Sequence, residues 1–162
     1  MDVAFEVGDK AVYPKLGVTE IQSIETLEIC GTTNRFYVLR CLDSDNTIRV
    51  PVRNARQVGL RSVVTEAEIE QVLEALRCNT LQVEEPNWNR RHRRYLEKMK
   101  SGELREVAEV LRDLHLTAVD KTLSYGERRV LEDARQLLIQ ELAVAQGCEE
   151  GDVAEQLDEL LS

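Results

Sequence analysis

Residues 88–94 read WNRRHRR, and they place the only tryptophan of the chain beside its densest positive charge. An indole can wedge between base steps, and guanidinium groups can hold phosphates. Those residue types at that spacing point to nucleic-acid contact rather than to bond making. On a helix starting near residue 88, Trp88, His92, Tyr95 and Met99 share one stripe, with Leu96 beside it. Arg90, Arg93, Arg94, Glu97 and Lys100 take the other side. The same stripe also admits a plainer use, with Trp88 as a core anchor and the arginines as a wetted face.

Catalysis finds no comparable arrangement. The two histidines, His92 and His115, lie among arginines and on a leucine-rich stretch, and neither is near a glycine-rich nucleophile turn. GxGxxG and GxxxxGK[ST] are absent, so no phosphate cradle is expected. Cys30, Cys41, Cys78 and Cys148 are scattered without a CxxC pair. Reduced, mostly buried thiols are therefore expected rather than a zinc site. The carboxylates fall at helical spacings beside basic residues, as on solvated helix faces. The chain is expected to be a binding module with no catalytic residue, no metal and no cofactor.

Charge is unevenly distributed along the 162 residues, whose formal net charge is −9. Residues 1–64 hold 8 acids and 8 bases, and residues 65–87 hold 6 acids and 1 base. Residues 88–105 reverse the sign with 7 bases and 2 acids, and residues 106–162 return to 14 acids and 5 bases. Screening lengths are roughly 8 Å in physiological salt, so the local patch matters more to a partner than the total. No apolar run approaches the roughly 18–20 residues that span a bilayer. MDVAFEVGDK has no basic start followed by an apolar stretch. A cytoplasmic monomer is expected.

Two kinds of element must position these residues. The first sixty residues read as strands: VGDKAVYP, GVTEIQSIETLEI with Val18, Ile21, Ile24, Leu27 and Ile29, then RFYVLRCL and TIRVPV. GTTN (31–34) and DSDN (43–46) read as the separating turns. Short strands at about ten-residue spacing predict a small antiparallel β-barrel. Pro51 cannot donate a ladder hydrogen bond, which predicts an edge strand there. From residue 65 the period becomes helical. Thr65 with Glu68 and Ser124 with Glu127 read as capping boxes, Asn87 as an N-cap, and Gly147 as a helix stop. Five helices are expected. The fold class is thus α+β, with a β-barrel at residues 1–64 and a helical domain at residues 65–162.

VGDKAVYPKLGV, TIRVPVRNARQVGLR, NWNRRHRRYLEKMKSGELREVAEVLRDL and GERRVLEDARQLLIQELA together resemble the CarD/CdnL family of bacterial transcription regulators. The resemblance runs from about residue 5 to residue 161. It implies a Tudor-like domain that interacts with RNA polymerase, followed by a helical DNA-binding domain. It implies binding to the polymerase β subunit through Val38, Arg49, Val50 and Pro51, and hence association with the nucleoid. It also implies that Trp88 wedges into the minor groove at the upstream edge of the promoter bubble and stabilises the open complex, with DNA contacts from Arg90, Arg91 and Arg93. Leu27 stands where some members carry a basic residue. The alternative is a protein-interaction adaptor whose barrel edge binds a different partner by β-augmentation, with Trp88 buried in the core.

Overall fold

The computed structural model describes residues 5–14, 16–81, 83 and 85–162. They form two compact units, Met1–Val63 and Val64–Ser162. The first is a five-stranded antiparallel sheet: β1 (Lys10–Tyr13), β2 (Gly17–Ile29), β3 (Thr32–Cys41), β4 (Thr47–Pro51) and β5 (Arg61–Ser62). Its hydrogen-bonded order is β4-β3-β2-β1-β5, so the strand ending in Pro51 lies at an edge.

The apolar spacing of β2 is not a strict alternation, and a bulge explains it. Ile21 pairs with Leu39, but Ser23 already pairs with Val38, leaving one extra residue on β2. Ile24 then pairs with Tyr37 and returns to the face that carries Ile21. Phe5, Ala11, Ile21, Tyr37, Leu39, Val50, Ala55 and Leu60 form the core, with Ile24 packed against it. Phe5 meets Tyr37 edge-on at 5.7 Å between centroids, and the Phe5 amide donates to the Tyr37 hydroxyl at 3.2 Å.

Farther along, Leu27 and Ile29 pair with Asn34 and Thr32 and are exposed although both are apolar. The expected GTTN turn is also corrected. Only Cys30 and Gly31 turn the chain, both at positive φ (52° and 78°), as a two-residue hairpin loop requires. Thr32, Thr33 and Asn34 are already in β3. Cys30 and Cys148 are exposed and Cys78 is half-buried; only Cys41 is sealed, so the thiols are not mostly buried.

The second unit holds α1 (Glu66–Arg77), α2 (Trp88–Lys100), α3 (Leu104–Asp120), α4 (Tyr125–Gln146) and α5 (Glu150–Leu161). Both capping boxes form, at Thr65/Glu68 and Ser124/Glu127. α4 stops at Gly147 with φ 67°. α3 is central, packing against α1, α2 and α4. Val72, Leu76, Leu111, Leu114, Leu138, Leu142, Val153 and Leu157 are sealed between these helices. α2 joins this core through Tyr95 and Met99, and burying a methionine side chain contributes roughly 1.5–3 kcal/mol. Among the described residues no helix is long and apolar enough to cross a membrane.

Candidate nucleic-acid interface

The first turn of α2 sets the position of Trp88. Asn87 caps the helix, its side-chain oxygen accepting from the Arg90 amide at 3.1 Å. Trp88 is therefore the first helical residue. A side chain there projects at the helix end and is not flanked by a preceding turn. The indole is half-buried: it is neither sealed in the core nor free in solvent. One side of it rests on α4, where a Cβ built on Gly126 would lie 3.2 Å from Trp88 Cζ2. His92, one helical turn on, meets the ring at 5.0 Å between centroids and a 38° tilt. The Arg91 guanidinium lies over the ring at 5.0 Å from its centroid.

The basic residues of α2 divide into two sets. Arg90, Arg93, Arg94 and Lys100 are exposed, and no ion pair engages them among the described residues. Arg91 turns inward. Its Nη1 donates to the Glu85 carbonyl at 2.9 Å and its Nη2 to Glu127 Oε2 at 3.2 Å. Lys98 pairs with Glu109 at 3.3 Å, and Arg105 approaches the same carboxylate at 3.8 Å. The positive surface that Trp88 shares is thus smaller than a count of bases along residues 88–105 suggests.

Glu127 is the hub on the α4 side. Burial pushes its carboxyl up. The Ser124 amide and hydroxyl, Lys121 and Arg91 outweigh that and hold it below its ordinary range. It closes the α4 capping box, accepting from the Ser124 amide at 2.9 Å, while Lys121 Nζ lies 3.8 Å from it. The loop entering α2 is fixed from α3. The Arg112 guanidinium donates to the Cys78 carbonyl and to Asn79 Oδ1, and Asp113 accepts from the Val83 amide at 2.9 Å.

Sequence reasoning places Trp88, Arg90, Arg91 and Arg93 together at the start of α2, and the fold keeps them there. It misses the contribution of α4. Tyr125 is highly exposed at 74%, and Arg128 and Arg129 are exposed in the next turn, on the element that carries Gly126 under the indole. The available signal was Gly126 itself, a poor helix former placed just inside a capped helix start.

In the sheet unit, Val38, Arg49, Val50 and Pro51 occupy adjacent registers. Val38 pairs with Arg49, Tyr37 with Val50, and Phe36 with Pro51. Val38 and Val50 are buried, whereas Arg49 is exposed and its Nε donates to Glu25 at 3.2 Å. The outer edge of β4 offers backbone groups, with Arg49 as the exposed side chain among the four. Among the described residues no cluster of His, Cys, Asp and Glu could hold a metal ion.

Comparison with known proteins agrees with this two-part organisation. Residues 5–64 match the family described as CarD-like/TRCF RID domain, and residues 71–158 match CarD, C-terminal domain. The chain is 30% identical over 149 residues to "Putative transcription factor YdeB" of Bacillus subtilis (strain 168), covering 92% of this chain and 97% of that protein. A solved structure, CdnLNt from Myxococcus xanthus, is 44% identical, covering 41% of this chain and 93% of that one, with a TM-score of 0.34. With both halves matched and a full-length relative at this identity, the chain belongs to the CarD/CdnL family of transcription regulators.

Proposed function

We propose that this protein binds bacterial RNA polymerase through its sheet unit and stabilises the promoter open complex through its helical unit. The observation that carries the reading is the half-buried Trp88 at the first position of α2, braced from behind by Gly126 and flanked by exposed Arg90 and Arg93. A side chain that enters DNA must be reachable, and it must be backed so that it does not fold away. Insertion of an apolar wedge unstacks a base step at a cost of a few kcal/mol, which phosphate contacts by the arginines offset. The upstream edge of the bubble, where stacking is already interrupted, is the place where that cost is smallest. Tyr125, next to Gly126 on α4, is exposed. The β subunit contact falls to the edge strand β4, with exposed Arg49 and half-buried Pro51 beside the β3 register that holds Val38. The net charge of −9 disfavours DNA binding by the free protein, so polymerase would deliver it. Open-complex lifetime with purified polymerase tests the reading: Trp88→Ala should shorten it while β-subunit binding is retained. Equal lifetimes would overturn it.

A further inference from the structure

Arg91 stands among the basic residues of α2, yet its surroundings differ from those of its neighbours. Its side chain is 14% exposed, and the Glu127 side chain it meets is 4% exposed. Every group it touches belongs to the frame around the indole. It lies over Trp88, donates to the Glu85 carbonyl of the entering loop, and pairs with the carboxylate that caps α4. Glu127 is one residue from Gly126, which the indole also contacts. One guanidinium thus ties together the loop before α2, the ring at its first position and the helix start behind it. A planar fork with a flat face suits all three contacts at once better than the compact ammonium of a lysine.

We propose that Arg91 is a positioning residue for Trp88 and not a phosphate contact. With Glu127 it forms a latch that holds the indole on Gly126 in one orientation before DNA is met. The proposal deepens the reading of Trp88 as the DNA wedge and rests on it for its consequence in transcription, but the latch itself is a property of the free protein. Pre-setting the ring removes the ordering cost that an exposed, mobile tryptophan would incur on insertion.

Acrylamide quenching of the sole tryptophan in the full chain, without DNA, tests the latch directly. Arg91→Gln should raise the population of undocked indole by roughly 2- to 30-fold, the equilibrium equivalent of losing one partly desolvated cation–π contact. Glu127→Gln, which keeps hydrogen-bonding atoms but removes the charge, should move quenching in the same direction. Arg93→Gln should leave it at the wild-type value. In complexes of polymerase with promoter DNA, Arg93→Gln should reduce the slope of log K against log salt by about 0.9, and Arg91→Gln should leave the slope unchanged while shortening complex lifetime. Wild-type quenching in Arg91→Gln, or a slope reduced as in Arg93→Gln, would overturn the proposal. If circular dichroism shows Arg91→Gln to be unfolded, Arg91→Lys decides: raised quenching at a wild-type salt slope supports the latch, and wild-type quenching sinks it. A freed indole in Arg91→Gln together with an unchanged lifetime for Trp88→Ala would leave the latch standing and remove the DNA role.

Discussion

Gly126 lies against the Trp88 indole, close enough that a methyl group in its place would stand 3.2 Å from Cζ2. The position is tight for a side chain, and the cause is a tertiary neighbour rather than backbone conformation. Gly126→Ala separates two effects. Alanine favours the helix by up to about 1 kcal/mol over glycine. The half-buried ring can tilt outward to relieve the contact, so thermal stability should hold or rise slightly. The displaced indole should be quenched more readily, and open complexes should be shorter-lived. A variant with wild-type quenching and lifetime would show that the ring does not depend on this support.

Neutralising the exposed arginines should act through salt dependence. Arg90→Gln and Arg93→Gln should each lower the log–log salt slope of promoter-complex formation by about 0.9 and weaken binding across promoter sequences alike. Their thermal stability should stay within about 0.5 kcal/mol of wild type, as for surface substitutions generally. Titrating salt with purified polymerase checks both statements.

Acid should release the indole. Glu127 is held below its ordinary carboxyl range of 4.5, so its stabilising contribution is fully present above that value and is lost as pH falls through the lower folded value. Trp88 quenching should be flat at neutral pH and rise on acidification below 4.5, before global unfolding by circular dichroism. In Glu127→Gln that step should vanish, with quenching already raised at neutral pH.

The loop ahead of α2 depends on α3. Asp113 is fully buried and accepts from the Val83 amide at 2.9 Å, so Asp113→Ala leaves a buried amide without that partner. Such a loss costs roughly 1–3 kcal/mol. Chemical denaturation should show it, accompanied by increased Trp88 quenching, since the loop leads into the residue that precedes α2. Loss of stability without any change at Trp88 would show that the loop and the indole are independent.

In the sheet unit, Arg49→Glu should weaken binding to the polymerase β subunit with little effect on stability, because Arg49 is exposed and its ion pair with Glu25 is a surface one worth about 0–1 kcal/mol. Val50→Asp differs: Val50 is 3% exposed in the core, and an unpaired buried carboxylate should unfold the unit. A binding assay alongside a thermal melt distinguishes the two. Arg49→Glu with full β-subunit affinity would count against the β4 edge as the docking strand.

Much of this architecture was legible in the order of the residues. Local chemistry marks both capping boxes, the Asn87 cap, the Gly147 stop and the change from strand to helical period, because each depends on side chains within four residues of one another. The edge position of the strand ending at Pro51 follows from one missing donor. Periodicity also puts Trp88 and the arginines on α2. It sets Arg90 and Arg93 opposite Trp88 and Arg91 three residues on, beside the stripe, but a helical wheel records which side a residue faces and not which group meets it there. Which arginine meets Glu127 and why a side chain at position 126 would crowd the indole are both decided by partners brought in from distant segments. Sequence alone determined the elements and the charge they carry. The tertiary packing of α2 on α4 decided which positive charge is left for a partner and which one holds the tryptophan in place.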